Sequence, residues 1–309
     1  MNILPLILIV GPTAVGKTEL SLQLAERLNG EIISADSRLF YRGMDIGTAK
    51  PTPEERARAP HHLIDVADPD DIWSLAVFKQ ASTEIIAGIH ARGKLPFLVG
   101  GTGQYMRAVT EDWTPPEVEP DSRLRDVLEG LAEEKGKYWL HEGLNLVDPV
   151  AAERIDPRNV RRVVRALEVV LTTGKPVSKQ RGQSDSPYNL LSIGLNRPRE
   201  ELYQRVDKRI EAMFEAGFVD EVRKLLEKGY TPDLPTMSAI GYRECVRVIE
   251  GELDIEQAKG EMRRATRMFI RRQANWFKEE DPGIHWFDAG HENTINLVEN
   301  FIRQTFSTV

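Results

Sequence analysis

Gly11-Pro12-Thr13-Ala14-Val15-Gly16-Lys17-Thr18 carries the spacing G-x-x-x-x-G-K-[ST] of a phosphate-cradling loop. The glycines let backbone N–H groups turn toward phosphate oxygens, and a helix opening behind them adds positive potential. Lys17 supplies a full charge, and the Thr18 hydroxyl is a hard oxygen suited to Mg²⁺. Such a cradle accepts any diphosphate of suitable shape, so it leaves the substrate open. Asp36 is the second chemical group. It falls where the next predicted strand ends, the edge at which open α/β sheets collect ligands. A carboxylate there is either a general base toward a group attacking a bound diphosphate ester, or a cap for a turn or a metal water.

Nucleotide-hydrolysing proteins usually end a neighbouring strand with an aspartate for Mg²⁺. Here Leu95–Val99 runs instead into Gly100-Gly101-Thr102-Gly103. That departure counts against an ATPase and puts small backbone where a substrate can come close, unless the run is only a tight turn.

Arg158, Arg161, Arg162 and Arg165 share one helical face, with Val160, Val164, Leu167 and Leu171 opposite. A second stripe runs through Arg263, Arg267 and Arg271, flanked by Arg264, Arg272 and Lys278. Taken singly, each reads as a solvated face. Taken together, on a chain of 41 basic and 48 acidic residues with net charge −7, they read as a split footprint for a phosphate backbone. Binding through them weakens steeply with salt as counterions are released. Arg205 and Arg209, one turn apart, suit bidentate phosphate contact or pairing with Glu201, Asp207 or Glu211. His61 and His62 lack a third ligand at metal spacing and read as structural.

These groups need a frame. Ile7–Val10 is a continuous apolar run, as in a strand covered on both faces, and Thr18–Leu28 places Leu20, Leu24 and Leu28 at one-turn spacing. Glu31–Ala35, His62–Val66 and Leu95–Val99 read as further strands, and Ser74–Ala91 as a helix. Composition shifts at Trp113-Thr114-Pro115-Pro116: residues 111–150 hold eleven acidic and four basic side chains, residues 151–181 three and eight, with no strand signal in either. Leu190–Leu195 returns to strand character, and from Arg199 onward the pattern is helical, with Leu202, Val206, Ile210 and Met213 on one stripe. The expected fold is a phosphate-loop NTPase-like, doubly wound parallel α/β sheet over 1–113 and 188–309, with an all-helical insertion at 114–187 and a helical C-terminal region.

A length of 309 residues implies about two domains. With 41% hydrophobic and 29% charged residues, disorder, collagen-like repeats and coiled coils are excluded. One cysteine, Cys245, excludes an internal disulfide and a cysteine-based zinc site, and fits a reducing cytoplasm. The apolar run Ile3–Val10 is broken by Pro5 and is too short to cross a membrane. Besides attack on a bound diphosphate ester, two other readings stand: a small-molecule kinase with the insertion as its lid, and a noncatalytic RNA-binding module.

Several segments together closely resemble the bacterial tRNA dimethylallyltransferases. They are Gly11 to Thr18, Asp36-Ser37-Arg38-Leu39-Phe40-Tyr41-Arg42-Gly43-Met44-Asp45-Ile46-Gly47-Thr48-Ala49-Lys50-Pro51, His61 to Asp65, Gly100-Gly101-Thr102-Gly103-Gln104-Tyr105, Arg161 to Glu168, Ile240-Gly241-Tyr242-Arg243 and Arg271-Arg272-Gln273-Ala274-Asn275-Trp276-Phe277. The resemblance implies transfer of a dimethylallyl group from its diphosphate to the exocyclic amine of the adenosine just 3′ of the anticodon. It implies Asp36 as the base, Thr18, Lys17 and Arg209 on the departing diphosphate with Mg²⁺, and Thr102 beside the acceptor adenosine. The tRNA contacts it implies are Asp36, Ser37, Arg38 and Leu39, Arg161, Arg162 and Arg165, Ser238 to Arg243 with Gly241 and Tyr242, and Arg271, Arg272, Gln273, Trp276 and Lys278. The insertion matches the part that grips the anticodon arm, and a monomer is expected. Leu39 departs from the pattern, standing where many members carry glutamine, and it cannot hydrogen-bond a base edge. A free adenine nucleotide as acceptor, as in cytokinin-forming relatives, is a narrower alternative.

Overall fold

Leu6 to Val10 are all buried, because strand β1 (Pro5–Val10) lies inside a sheet covered on both faces. The computed structural model describes residues 3–111, 121–180 and 186–306. Chain packing divides it into two units, Met1–Thr110 with Ser186–Val309, and Glu111–Asp185. The composition shift at Trp113 to Pro116, where the first edge of the insertion was expected, lies outside the described residues.

After β1, the first unit continues through α1 (Lys17–Arg27), β2 (Gly30–Ser34), α2 (Pro53–Arg58), β3 (His61–His62), α3 (Leu75–Ala91), β4 (Leu95–Val99) and α4 (Gly103–Thr110). The second unit holds α5 (Ser122–Lys135), α6 (Lys137–Val147), α7 (Pro149–Arg154), α8 (Val160–Thr173) and α9 (Val177–Gln180). The chain then rejoins the first unit as β5 (Asn189–Asn196), α10 (Arg199–Glu215), α11 (Phe218–Glu227), α12 (Tyr242–Ile249), α13 (Ile255–Gln273), β6 (Ile284–Asp288) and α14 (Thr294–Phe306).

The six strands form one parallel sheet in the order β3-β2-β4-β1-β5-β6. The chain leaves β1 to one side for β2 and returns to the other as β5, so the order reverses beside β1, where such sheets bind ligands. Register does the positioning. Ile9 and Ser34 both pair with Val99, so the turns after β1, β2 and β4 emerge at one edge. Ala35 N–H donates to Val99 O at 2.8 Å and Gly100 N–H to Ile9 O at 3.2 Å, carrying the ladder to the threshold of Asp36.

Two sequence expectations need correction. The strand expected over His62–Val66 stops at His62, because Leu63 and Asp65 take φ +59° and +56°, which extended backbone excludes. His61 and His62 are structural as expected: His61 Nδ1 meets Ala59 O at 2.8 Å and His62 Nε2 meets Glu31 at 2.7 Å. The second miss is β6, an edge strand inside a region read as wholly helical. Only five residues long and half-buried, it shows little apolar periodicity.

The segment Asp36–Pro51 has no regular helix or strand ladder, so its backbone groups find partners elsewhere. The Glu221 carboxylate from α11 accepts the N–H groups of Asp45 (3.0 Å), Ile46 (2.7 Å) and Gly47 (3.3 Å), and the Tyr242 hydroxyl at 2.6 Å. Lys50 Nζ, its side chain 2% exposed, donates to Tyr41 O at 2.8 Å and to Asp45 and Asp65, each at 2.6 Å. A buried ammonium held by two carboxylates ties the end of this segment at Lys50 back to Tyr41 and Asp45 within it and to Asp65 beyond it. Glu221→Ala strips three backbone donors and a buried phenol of their acceptor. It should cost about 3 kcal/mol, read as a fall in the thermal midpoint.

In the second unit every element among the described residues is helical. Helix α8 buries Val163, Val164, Leu167 and Val170, whereas Leu171, expected on that stripe, is 57% exposed. Glu168, fully buried, accepts from Arg125 (both contacts 2.9 Å), Arg165 (2.6 Å) and the Asp121 N–H (2.8 Å).

Candidate active site

The loop expected from Gly11 to Thr18 joins β1 to α1. Gly11 takes φ +144°, and a Cβ there would lie 2.6 Å from Leu195 O, so only glycine lets the loop cross β5. Lys17 Nζ folds back onto Gly11 O and Pro12 O, both at 2.9 Å. Ala14 sits in the left-handed region at φ +66°, and Arg205 Nε holds its carbonyl at 2.7 Å. Arg197 Nε holds Val15 O at 3.0 Å. Arg205 therefore serves the loop backbone rather than the carboxylates of Glu201, Asp207 or Glu211. The Thr18 hydroxyl, at the exposed first turn of α1, makes no hydrogen bond among the described residues.

Three charged groups, Lys17, Asp36 and Arg209, are electrostatically coupled at this loop. Burial lowers the Lys17 ammonium to about 8, against the opposing pull of Asp36, and Arg209 adds to the lowering. Arg209 is lowered in turn, first by burial, while Asp36 opposes and Arg205 reinforces the shift. Asp36 is thus close enough to act on both cations. Its Oδ1 accepts the Arg38 N–H at 3.0 Å, which turns the chain so that the carboxylate stays at the sheet edge. Among the described residues the Arg209 guanidinium makes no hydrogen bond and no ion pair, although it is half-buried. A desolvated fork of five donors without an acceptor is arranged for an anion supplied from outside.

The Lys17 value has a direct consequence. An anion that needs the protonated amine binds less well as pH rises through about 8, by up to tenfold per unit. Calorimetric titration with Mg²⁺-diphosphate across that range should show this decline, and Lys17→Arg, charged throughout, should flatten it.

The sequence left Gly100–Gly103 as either a place for a substrate to come close or a tight turn, and in the structure the space beside three of its glycines is filled by the chain itself. A Cβ at Gly100 would stand 2.6 Å from Ala35 O, one at Gly101 2.3 Å from Gln273 Nε2, and one at Gly103 2.6 Å from the Trp276 indole. Thr102, half-exposed at the start of α4, keeps its hydroxyl without a hydrogen bond among the described residues. Tyr105, a turn further on, stacks on Phe78 at 4.5 Å and Phe40 at 5.8 Å. Burial, with Tyr41 and Asp36 adding to it, pushes the Tyr105 phenol up to about 12 despite Arg38. It stays neutral at this edge.

The residues expected to touch RNA divide into two groups. Arg161, Arg162, Arg243, Arg271, Arg272 and Lys278 are exposed, while Ser37, Arg38, Leu39 and Trp276 are half-exposed. Arg161 also lines an open groove of about 590 Å³ with Lys137 and Tyr138. Tyr242 and Gln273 need correction as RNA contacts: Tyr242 is fully buried on Glu221, and Gln273, 4% exposed, is hydrogen-bonded to backbone. Gly241 is buried beside Tyr242, and Arg165 is drawn onto Glu168. The second arginine stripe is partly consumed as well. Arg263 pairs with Glu211, Arg267 with Asp207 at 2.6 Å, and Arg271 Nε reaches the Tyr203 hydroxyl at 3.3 Å, so α13 is zipped to α10. Sequence spacing showed the basic stripe but not the acidic one on α10 that neutralises it.

A phosphate loop at the switch point of a parallel sheet, sharing its edge with a carboxylate and near a guanidinium unpaired among the described residues, defines an enzyme that transfers a group from a phosphate or diphosphate ester. Residues 39–280 match the family model for IPP transferase, and residues 4–64 match that for isopentenyl transferase. The chain belongs to the IPP transferase family. It is 54% identical over 301 residues to the tRNA dimethylallyltransferase of Roseiflexus sp. (strain RS-1), covering 97% of this chain and 98% of that protein. It is 45% identical to the tRNA dimethylallyltransferase of Carboxydothermus hydrogenoformans, covering 97% and 96%. Among solved structures it is similar to the Bacillus halodurans tRNA isopentenylpyrophosphate transferase, with TM-score 0.73, 43% identity and coverage of 98% and 97%. It is also similar to a eukaryotic dimethylallyltransferase acting on tRNA, with TM-score 0.84, 28% identity and coverage of 99% of this chain and 80% of that one. Among the described residues no helix is long and apolar enough to cross a membrane.

Proposed function

We propose that this chain transfers a dimethylallyl group from dimethylallyl diphosphate to the N6 amine of the adenosine just 3′ of the anticodon in tRNA, releasing diphosphate. The observation that carries this is that the phosphate loop and the turn at Asp36 emerge at one sheet edge, with Lys17 tied into the loop and the half-buried Arg209 guanidinium unpaired among the described residues. An allylic carbon–oxygen bond breaks easily once charge on the departing diphosphate is neutralised, and Lys17, Arg209 and the loop N–H groups do that. The new bond forms between that carbon and the amine nitrogen, and Asp36 takes the amine proton. Reaching the amine requires the base to leave its stack. Thr102 stands beside the position the adenine would take, while the neutral Tyr105 helps wall it off from water.

The residues present suit Mg²⁺. Thr18 offers a hard hydroxyl oxygen one residue after Lys17, and Mg²⁺ is commonly held by one or two protein oxygens with phosphate and water completing its shell. When bound it would add Lewis-acid neutralisation of the diphosphate. RNA is held by the exposed Arg161, Arg162, Arg243, Arg271, Arg272 and Lys278, which reach phosphates as point charges and forks. The setting we propose is the cytoplasm, where tRNA is processed.

The protein mixed with labelled dimethylallyl diphosphate and bulk tRNA should label RNA. Label in AMP but not in tRNA would point to a free-nucleotide acceptor, and ATP consumption without RNA would point to a kinase.

A further inference from the structure

We infer that Gln273 is a positioning residue that locks the phosphate loop and the Gly100–Gly103 turn to the end of α13, so that diphosphate and RNA strengthen each other's binding through one amide. The inference rests on the reading of the loop as the diphosphate site and of the α13 end as part of the RNA surface.

Gln273 Oε1 accepts the Thr13 N–H at 2.8 Å, and Nε2 donates to Gly101 O at 3.3 Å. Gln273 is 4% exposed, so both bonds lie away from competing water. One amide thus joins the turn after β1 to the turn after β4, from a residue 260 positions along the chain from the first and 172 from the second. The lack of a Cβ at Gly101 is what makes room for the amide nitrogen.

The Thr13 N–H, one of the donors such a loop would turn toward phosphate, is spent on Gln273 instead. Gln273 therefore shapes the cradle without touching its contents. The same stretch carries the groups placed toward RNA. Arg271 and Arg272 precede Gln273 and are exposed, and Trp276, whose N–H donates to Gln273 O at 3.0 Å, packs against Gly103 next to Thr102. RNA seated on these residues holds the end of α13 still, which holds the amide still, which holds the loop in its binding shape. Linkage makes the effect reciprocal: diphosphate in the loop must tighten RNA by the same factor.

The test uses the full chain and inorganic diphosphate with Mg²⁺, titrated with and without saturating tRNA. Gln273→Met keeps the side-chain length and removes both hydrogen bonds. Diphosphate affinity should fall about tenfold, and the gain that tRNA gives the unaltered protein should vanish. Gly101→Ala pushes the amide off from the other side, leaving Gln273 in place, and should cause the same two losses if the first variant folds poorly. A purely structural role would lower the thermal midpoint while leaving diphosphate affinity and its response to tRNA intact, and that result overturns the inference. Lys17→Met separates the two levels. Diphosphate binding indifferent to Lys17 sinks the reading of the loop itself, whereas binding that needs Lys17 but ignores Gln273 sinks only the brace.

Discussion

Asp36→Ala lowers turnover by about 10²–10⁴-fold while tRNA affinity stays near that of the unaltered protein. The expectation follows from where the carboxylate stands: after β2, with only β4 between it and the strand that carries the loop, and within electrostatic reach of Lys17 and Arg209. The structure shows one job for Asp36, the cap, and the proposed chemistry gives it a second; Asp36→Asn separates them. Its Oδ1 caps the Arg38 N–H, a bond the amide oxygen of asparagine keeps, whereas asparagine cannot take a proton. If proton removal is the role, both variants lose turnover alike. If the cap is the role, Asp36→Asn recovers most of it. Single-turnover prenylation of tRNA, with tRNA affinity measured separately by filter binding, checks both, and unchanged turnover in Asp36→Ala removes the residue from the chemistry.

Lys17→Met is the second large effect, a loss of about 10²–10³-fold in turnover together with weakened donor binding. Desolvation makes the ammonium effective here. In water a lone cation gains little from a diphosphate, but a site that has already taken Lys17 partly out of water, to an affinity for protons of only about 8, returns far more when an anion arrives. Arg209 cannot replace it, because the Lys17 ammonium is tied to Gly11 O and Pro12 O within the loop itself, whereas the guanidinium is carried by α10. Steady-state kinetics with varied dimethylallyl diphosphate reads both terms. A variant with unchanged kcat and raised KM would assign Lys17 to donor capture alone.

Much of this was legible from residue types at fixed spacing. The phosphate loop, the apolar runs of β1 and β4, the buried stripe Leu202, Val206 and Ile210, and the return of the chain to the sheet at β5 are local patterns, and local patterns report period and turn chemistry. Asp36 was placed at a strand end by the same logic. The single cysteine and the helical character of the insertion also needed no coordinates.

Partnership across long separations was not legible. Gln273 and Tyr242 sit among residues with the look of an RNA surface, yet each turns inward, to Thr13 and Gly101 in one case and to Glu221 in the other. Arg263 and Arg267 look free in sequence because the acids that neutralise them lie on a helix some fifty to sixty residues earlier. Arg205 looked like a surface ion-pair residue and proved to hold a loop carbonyl. The sequence by itself determined which groups are available and which elements carry them, since both follow from neighbours a few residues apart. Which of those groups meet, which are spent on one another and which remain for a ligand was decided only when the chain closed, because a hydrogen bond depends on distance in space and not on position along the backbone.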